Sequence, residues 1–306
     1  MNIGIDIGGT KTSIGLVDQT GAIILEHVHP TCAEKPADFV EMIVDWTKEL
    51  CQTAHVNFNE VQSVGAGVPG TVDFATGHVV FCPNIGWFDV PMGKLFASAF
   101  GRPVLVSQDS RNAALGELLF GAGKGYSDFM CITIGTGIGC GIVIGGRVFH
   151  GGMNTAGELG HLPIVRDGVD CNCGNKGCLE SYASGNAIFE RAFALKPNAF
   201  TGRPHKCETV FELAYQGDPD MLTVIKQSVD DLAFGLAGAV AILSPQAILI
   251  SGGVSEHREL VIQPLEERIY HYGYYSWKHA KKLKVLPAKL GKSAPMVGAA
   301  FLESQL

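Results

Sequence analysis

The chain has 306 residues and a formal net charge of −7; 46% of the residues are hydrophobic and only 17% are charged. Nucleic acid and anionic membrane surfaces reward clustered Lys and Arg, so we expect neither as a partner. The chain contains 39 glycines, whereas average usage would give roughly 21. They fit neither a collagen repeat nor a disordered linker, so we expect them at turns and close to ligands in a folded protein.

The length predicts about two domains. The N-terminus has no secretory signal pattern, and we therefore expect a cytoplasmic protein. Glycines or a proline interrupt the two most apolar windows before either could cross a bilayer. These windows, Met130 to Gly146 and Phe234 to Leu243, are predicted to be buried core.

Strands and helices alternate along the first part of the chain. Periodicity predicts strands at Asn2 to Asp6, Ser13 to Asp18, Ile23 to His27, Val61 to Val68 and Val104 to Ser107. It predicts helices at Ala37 to Ala54, Met92 to Phe100 and Arg111 to Phe120.

The later part continues the alternation. Two strands, Phe129 to Ile134 and Gly141 to Ile144, flank a glycine-rich turn, and a third is predicted at Ala247 to Ser251. Helices are predicted at Asn186 to Ala194, Thr209 to Tyr215, Pro219 to Leu243 and Ala294 to Ser304. Both halves open with strand, glycine turn and strand, which suggests a duplicated α/β domain.

Two glycine turns are candidate phosphate sites. Asp6 ends the first predicted strand and precedes Gly8, Gly9, Thr10 and Lys11. Backbone N–H groups and the threonine hydroxyl could reach phosphate oxygens there, and Asp6 could hold Mg²⁺ directly or through water. A tight hairpin with an incidental acid is the alternative. The matching turn in the second half is formed by Gly135, Thr136 and Gly137.

A cysteine cluster lies between the glycine-rich segments of the second half. Cys171, Cys173 and Cys178 are near each other, and His161 lies ten residues before the first of them. This spacing predicts a tetrahedral Cys₃His site for structural Zn²⁺, with no open coordination position. The alternative is three small buried thiols.

Asp109 follows the predicted strand Val104 to Ser107 and precedes a helix. Ligand sites of α/β proteins lie at the carboxyl ends of strands. A carboxylate at this position can bind a ligand, or it can simply cap the helix.

Read together, these motifs resemble the ROK family of bacterial sugar kinases and repressors, nearly end to end. The segments that carry the resemblance are Asp6 to Lys11, Gly67 to Gly70, Pro83 to Trp87, Asp109, Gly135 to Gly139, Gly157 to His161 and Cys171 to Glu180. The resemblance implies an α/β fold of two domains, actin-like (ribonuclease H-like), with an interdomain cleft. It also implies a homodimer.

The resemblance also assigns roles to residues. It implies an ATP-dependent kinase, with Mg²⁺, that phosphorylates the 6-hydroxyl of an aldohexose, with Asp109 as the general base. The residues implied to bind the sugar are Gly67, Asn84, Asp109, Glu158, His161 and Glu180. The nucleotide is implied to contact Asp6, Gly8, Gly9, Thr10, Lys11, Gly135, Thr136, Gly137, Gly252 and Gly253.

The chain departs from the family pattern around Asp109. The family usually has Asn directly before this Asp and often another Asn two residues after it, whereas this chain has Gln108 and Arg111, with Asn112 shifted by one. The sugar contacts on this side are therefore less well specified than the base.

The alternatives concern the substrate and the class of protein. Glucose is favoured because the Asn84-Ile85-Gly86-Trp87 segment is most like that of the family's glucokinases; N-acetylmannosamine, N-acetylglucosamine, allose and fructose stay open. A sugar-responsive ROK regulator is disfavoured because the first glycine turn begins at residue 6, which leaves no room for a helix-turn-helix. A non-catalytic sugar-binding protein would not need Asp109 and both turns.

The predicted boundaries are a small N-terminal domain of residues 1–120 plus 292–306, and a larger domain of residues 121–291 that carries the zinc loop. The glycine-rich stretch Gly121 to Gly125 is the expected hinge.

Overall fold

The computed structural model describes residues 1–32, 34–274 and 282–306. They form two compact units. The first comprises Met1–Ser127, Gly141–Gly157 and Leu290–Leu306, and the second comprises Asp128–Cys140 and Glu158–Lys289. These units divide the chain differently from the predicted domains, mainly because residues 141–157 belong to the first unit.

The strands are β1 (Asn2–Ile7), β2 (Lys11–Val17), β3 (Ile23–Pro30), β4 (Ser63–Val68), β5 (Thr71–Asp73), β6 (His78–Cys82), β7 (Trp87–Val90), β8 (Leu105–Gln108), β9 (Phe129–Ile134), β10 (Ile138–Ile144), β11 (Arg147–Val148), β12 (Ala247–Ser251) and β13 (Lys284–Pro287). The α-helices are α1 (Pro36–Thr53), α2 (Met92–Phe100), α3 (Asp109–Phe120), α4 (Glu180–Ala183), α5 (Gly185–Leu195), α6 (Cys207–Tyr215), α7 (Pro219–Leu243), α8 (Gln263–Tyr272) and α9 (Ala294–Ala299). The alternation confirms the predicted α/β class.

The two large sheets share one topology. The first has the order β3-β2-β1-β4-β8 and the second the order β11-β10-β9-β12-β13. In the first, β1 pairs antiparallel with β2 and parallel with β4, and β4 pairs parallel with β8. In the second, β12 pairs parallel with both β9 and β13. The repeated pattern is the internal duplication that the two glycine turns suggested.

Strand β1 is central in the first sheet and is buried on both faces. Ile3, Ile5 and Ile7 are fully buried. Phe39 and Ile43 of α1 belong to the same core. Helix α9 packs on α3 and β1 within this unit, where Ser63 Oγ donates a hydrogen bond of 2.9 Å to the carbonyl of Ala300. A strand enclosed on both sides is a rigid base for the residues at its carboxyl end.

The structure adds elements that the periodicity did not predict. Strands β5, β6 and β7 form a separate three-stranded antiparallel sheet. They have 3, 5 and 4 residues, which is too short for an alternating pattern to stand out. Helix α8 and strand β13 were also not predicted.

The C-terminal helix is shorter than predicted. Helix α9 ends at Ala299, and a 3-10 turn over Leu302–Gln305 follows. In the first sheet, β3 extends to Pro30, beyond the predicted end at His27.

In the part of the chain that the structure describes, no helix combines the length and the apolarity needed to cross a membrane.

Candidate active site and metal-binding loop

Three neighbouring parallel strands of the first unit end at one edge of its sheet. Asp6 of β1 pairs with Gly67 of β4, and Gly67 pairs with Ser107 of β8. Asp109 begins helix α3 directly after β8. Because parallel strands carry their carboxyl ends to the same edge, the fold brings Asp6, Gly67 and Asp109 together.

Gly67 is the centre of this group. A Cβ atom on it would lie 2.7 Å from Asn112 Nδ2, 3.5 Å from Asp6 Oδ1 and 3.6 Å from Asp109 Cα. A separation of 2.7 Å is below van der Waals contact, so a side chain there would displace the Asn112 amide. The absence of a Cβ lets these groups approach one another.

Asp109 is the first residue of α3, and Gln108 occupies the N-cap position. Asp109 Oδ1 accepts a hydrogen bond of 2.6 Å from the backbone N–H of Ser110. The helix therefore starts two residues earlier than the predicted Arg111. The early start fixes the Asp109 backbone in regular structure at the strand edge.

The electrostatic environment of Asp6 is unusual for a carboxylate. Burial, followed by the negative charges of Asp109 and Glu26, raises the pKa of Asp6 from 3.8 to about 8. Two carboxyl groups that share one edge disfavour each other's ionised form. A divalent cation would remove this penalty, and carboxylate oxygens are the ligands that Mg²⁺ prefers, so this pair fits the predicted magnesium site.

The first glycine turn lies beside this edge. Gly8 N–H donates to the carbonyl of Lys11 at 2.8 Å, and Thr31 Oγ1 donates to the carbonyl of Gly8 at 2.8 Å. Gly9, Thr10 and Lys11 are exposed. These bonds hold the turn in shape while its tip stays open to a ligand.

Asn84 lies near the tip of this turn. The position of a Cβ on Gly9 would be 3.6 Å from the carbonyl oxygen of Asn84. Asn84 itself is exposed, in a 3-10 turn over Pro83–Ile85. Thus the first unit brings together Asp6, the glycine turn, Gly67, Asn84 and Asp109.

Sequence reasoning identified the departures around Asp109 but not what they do. Arg111 points into the protein, where Nη2 donates to the carbonyls of Asn154 at 2.7 Å and Ala156 at 3.0 Å. Asn112 is fully buried, and its side-chain amide has no hydrogen-bond partner among the described residues. The mismatch with the family pattern was the signal for both.

The second unit repeats the glycine turn at the end of β9. Gly135 N–H donates to the carbonyl of Gly137 at 3.0 Å, and Gly185 N–H donates to the carbonyl of Gly135 at 2.8 Å. Gly135 and Thr136 are exposed. Glu180 also joins this turn, because its Oε2 accepts a hydrogen bond of 2.7 Å from Ile138 N–H.

Gly252 and Gly253 follow strand β12, which is the parallel neighbour of β9. A Cβ on Gly252 would lie 2.2 Å from the carbonyl oxygen of Ile134, the last residue of β9. The second unit therefore brings the two glycine pairs that were predicted for the nucleotide to one edge of its sheet.

The predicted zinc ligands form a compact cluster. The ligand atoms of His161, Cys171, Cys173 and Cys178 all lie within 4.8 Å of one another. Cys171 Sγ is 3.7 Å from His161 Nδ1, and Cys173 Sγ is 3.7 Å from Cys178 Sγ. Tetrahedral Zn–S bonds of about 2.3 Å place two sulfurs roughly 3.8 Å apart. The arrangement thus fits one Zn²⁺ held by Nδ1 and three sulfurs.

The loop that carries this cluster is held by isolated backbone contacts. Pro163 pairs with Cys178 in a single bridge, and Leu179 N–H donates to the carbonyl of Leu162 at 2.9 Å. Glu158 directly precedes the 3-10 turn Leu159–His161, and His161 N–H donates to its carbonyl at 3.1 Å. Glu158 and Glu180 thus lie on segments that adjoin the predicted metal ligands, and His161 is one of these ligands.

The comparison with known proteins identifies the family. A family model described as the ROK family matches residues 2–305. The chain belongs to the ROK family. Its similarity to this family thus covers both units and confirms the resemblance that the motifs indicated.

Several known proteins are similar to this chain over nearly all of its length. A glucokinase from Streptomyces coelicolor is 35% identical, with 99% of this chain and 97% of that protein covered. The crystal structure of a ROK family glucokinase from Streptomyces griseus in complex with glucose and AMPPNP has a TM-score of 0.85 and 35% identity, with 98% of each chain covered. A ROK hexokinase from Thermus thermophilus has a TM-score of 0.83 and 32% identity, with 99% of each covered.

These similarities confirm the predicted fold class, the α/β fold of ROK sugar kinases. The roles of the individual residues stay predictions. Gly67, Asn84 and Asp109 lie in the first unit, and Glu158, His161 and Glu180 lie in the second.

Proposed function

We propose that this ROK protein is an ATP-dependent hexose kinase that phosphorylates the 6-hydroxyl of an aldohexose, with glucose as the first candidate. The observation that carries the proposal is the meeting of Asp6, Gly67 and Asp109 at the carboxyl edge of three parallel strands. The similarity to glucokinases, one of them solved with glucose and AMPPNP, supports it.

Asp109 is the proposed general base. Its carboxylate would accept a hydrogen bond from the sugar hydroxyl, orient that oxygen towards the γ-phosphoryl group and take the proton as transfer proceeds. The bond from Ser110 N–H occupies one of its oxygens. A fixed backbone at the start of α3 limits the positions that the carboxylate can adopt, which is what orientation requires.

Asp6 is the proposed anchor for Mg²⁺, which would offset the charge on the transferring phosphoryl group. Phosphate oxygens would bind the N–H groups of Gly8 and Gly9 and the Thr10 hydroxyl on one turn. On the other turn they would bind Gly135, Thr136 and Gly137, with Gly252 and Gly253 at the adenosine.

For sugar recognition, we propose that Asn84 and the Gly67 backbone act with Glu158, Glu180 and Nε2 of His161. Zn²⁺ on Nδ1 would fix the His161 ring and leave Nε2 for a sugar hydroxyl. Its role is structural, because four protein ligands leave no open position. Carboxylates suit hydroxyl groups because they accept the hydrogen bonds that hydroxyls donate, and the Nε2–H of an imidazole bound through Nδ1 would donate to a hydroxyl oxygen.

Glu180 has a second proposed role. The bond that it accepts from Ile138 N–H would tie the sugar segment to the second phosphate turn. Substitution of Glu180 should therefore affect the KM values for both substrates.

Among the alternatives, a kinase for N-acetylmannosamine, N-acetylglucosamine, allose or fructose differs only in the sugar. A ROK regulator is less favoured, because the glucokinase and the hexokinase described above are 35% and 32% identical to this chain, whereas a xylose repressor from Bacillus spizizenii is 29% identical. A homodimer stays a prediction that sedimentation velocity can test.

The test is an ADP-release assay with ATP and Mg²⁺ over a panel of hexoses and N-acetylhexosamines. We expect the highest kcat/KM with glucose. If only an N-acetylhexosamine is turned over, the kinase proposal would stand and glucose would no longer be the proposed substrate. A folded protein that turns over no sugar in the panel would contradict the kinase proposal.

A further inference from the structure

Segment 141–157 contacts helix α3 at both of its ends. At its start, a Cβ on Gly141 would lie 2.5 Å from the Ser110 carbonyl oxygen and 3.2 Å from Arg111 Cα. At its end, Arg111 Nη2 binds the carbonyls of Asn154 and Ala156. The same turn of helix that begins with Asp109 therefore holds both ends of the segment.

Arg111 is built into this position. Only 1% of the residue is exposed, although it carries a permanent charge. A buried guanidinium is costly unless polar groups surround it. Two backbone carbonyls on one terminal nitrogen supply part of that compensation and fix the local backbone in return, because hydrogen bonds from a charged donor are stronger than neutral ones.

Other contacts reinforce the same segment. The His150 ring stacks on Phe74 with centroids 4.4 Å apart and an interplanar angle of 14°. Ala156 N–H donates to the carbonyl of His150 at 3.1 Å. Burial and the positive charge of Arg111 lower the pKa of His150 to about 4, so His150 is neutral at physiological pH and does not repel the guanidinium.

The segment leads directly to a predicted sugar ligand. Ala156, whose carbonyl Arg111 binds, is two residues before Glu158. Arg111 is in turn two residues after Asp109. One side chain therefore connects the helix of the proposed base with the backbone that carries a proposed sugar-binding carboxylate.

We propose that Arg111 is a positioning residue for the sugar: by holding the carbonyls of Asn154 and Ala156, it sets the backbone from which Glu158 projects. The inference rests on the proposed kinase function. An Asn side chain at this position would be three bonds too short to make the two contacts that the guanidinium makes. Arg111 would thus act on the sugar site indirectly, through the backbone that it holds.

Arg111→Gln is the central test, because glutamine is neutral and has only one amide donor group. We expect the sugar KM to rise about tenfold, since a lost hydrogen bond to a charged donor has an effect of this order. The KM for ATP should stay within about twofold and kcat within about threefold, because the carbonyls that Arg111 Nη2 binds belong to Asn154 and Ala156 and not to a phosphate turn.

The chain offers a matched control. Arg102, also in the first unit, donates from Nη1 to the Val61 carbonyl at 2.7 Å and from Nη2 to the Gln62 carbonyl at 2.8 Å. Arg102→Gln removes the same kind of contact away from the predicted site residues, so we expect it to leave the sugar KM unchanged. An equal rise in both variants would overturn the proposal, as would a folded Arg111→Gln protein with the wild-type sugar KM.

Arg111→Lys provides a rescue variant. An ammonium group keeps the charge and can bind both carbonyls from a slightly shorter side chain, so its sugar KM should rise only about threefold. If Arg111→Gln fails to fold, Arg111→Lys is compared with Arg102→Lys: a higher sugar KM in Arg111→Lys alone would support the proposal, and an equal rise in both variants would contradict it.

Hydrogen exchange separates this inference from the kinase proposal. In the ligand-free protein, amides of residues 150–158 should exchange faster in Arg111→Gln than in Arg102→Gln. Unchanged exchange there would overturn the positioning role. Inactivity of the wild-type protein towards every sugar, together with faster exchange in Arg111→Gln, would refute the kinase proposal and leave the Arg111 contact supported.

Discussion

The carboxyl edge of the first sheet and the loop from His161 to Cys178 are built in different ways. Asp6 and Gly67 are placed by the backbone ladder of parallel strands, and Asp109 by a helix that starts directly after the third strand. The four ligand atoms of the loop come together within 4.8 Å in a segment held by isolated bridges and loop hydrogen bonds, without a strand ladder. We infer that the first arrangement exists before any ligand binds, whereas the second would depend on the proposed metal.

The two regions also differ in the acidic group whose pKa is raised. At the sheet edge, burial and the nearby negative charge of Asp109 raise the pKa of Asp6 to about 8, so the energetic cost of preorganisation is visible there. In the loop, burial raises the pKa of the Cys178 thiol to about 12, and this proton would have to leave when a metal binds. In both regions, the proposed cation would therefore take the place of a proton.

Removing the proposed base should have the largest effect. We expect Asp109→Asn to lower kcat by about 1,000-fold, because the amide cannot accept the proton, while the sugar dissociation constant changes by less than about threefold. ADP release and calorimetric sugar titration measure the two quantities. Asp38→Asn, which alters an exposed carboxylate in the first turn of α1, should behave as wild type. Equal losses of turnover and binding would make Asp109 a binding residue instead.

Removing one proposed metal ligand should change three properties: metal content, thermal stability and sugar affinity. We expect Cys173→Ala to lose the single zinc per chain that four ligands imply, and to lose thermal stability and about tenfold in sugar affinity, because His161 would no longer be fixed. Cys32→Ala, which removes another exposed thiol outside the cluster, should retain the metal. Metal analysis, thermal unfolding and sugar titration measure these effects. Zinc-free but stable wild-type protein would contradict the metal site, and a wild-type sugar affinity in Cys173→Ala would disconnect the loop from the sugar.

The smallest effect should come from replacing the Asp6 carboxylate at the sheet edge, and it should appear in the unfolding free energy. The pKa of Asp6 is about 8 in the folded protein against 3.8 as the reference value. Between these values the folded state holds a proton that the unfolded state lacks, so this contribution to stability is lost as the pH rises from about 4 through about 8. In Mg²⁺-free buffer, Asp6→Asn should therefore gain at least about 1 kcal/mol of unfolding free energy over wild type at pH 8.5, and little at pH 4.

Urea unfolding at the two pH values measures this difference. Added Mg²⁺ should stabilise wild type at pH 8.5 and have a smaller effect on Asp6→Asn, since the variant lacks the carboxylate that would hold the ion. If the unfolding free energies of the two proteins depended equally on pH, the raised pKa of Asp6 would be refuted.

Much of the secondary structure could be predicted because it follows from local sequence patterns, namely apolar periodicity and turn residues. Helix α2, helix α7 and strand β12 have the predicted bounds, since the helices combine an apolar period, and the strand a continuous buried run, with turn residues at both ends. Strands β5 to β7 and helix α8 were missed. The strands are too short to show a period, and α8 has a low mean hydropathy and only Leu265 and Ile269 buried.

The sequence predicted the residues of the metal-binding loop more completely than those at the carboxyl edge of the first sheet. The Cys₃His spacing identified its four residues directly, because all of them fall within one short stretch. Asp6 and Asp109 were found as separate candidates more than a hundred residues apart, and only the strand register shows that both flank Gly67. Arg111 appeared in the sequence merely as a departure from the family pattern, and its two carbonyl partners could not have been foreseen, because any backbone can offer a carbonyl.

The sequence by itself determined the ROK family, the α/β alternation, both glycine turns and the types of chemistry available, since these depend on residue identity and short spacing. The tertiary structure decided which of these groups meet: it placed Asp109 at the start of α3 beside Asp6, joined Glu180 to Ile138, and buried Arg111 against the segment that leads to Glu158. The physical reason is that pairings between distant residues follow from strand register and packing, which no local pattern encodes.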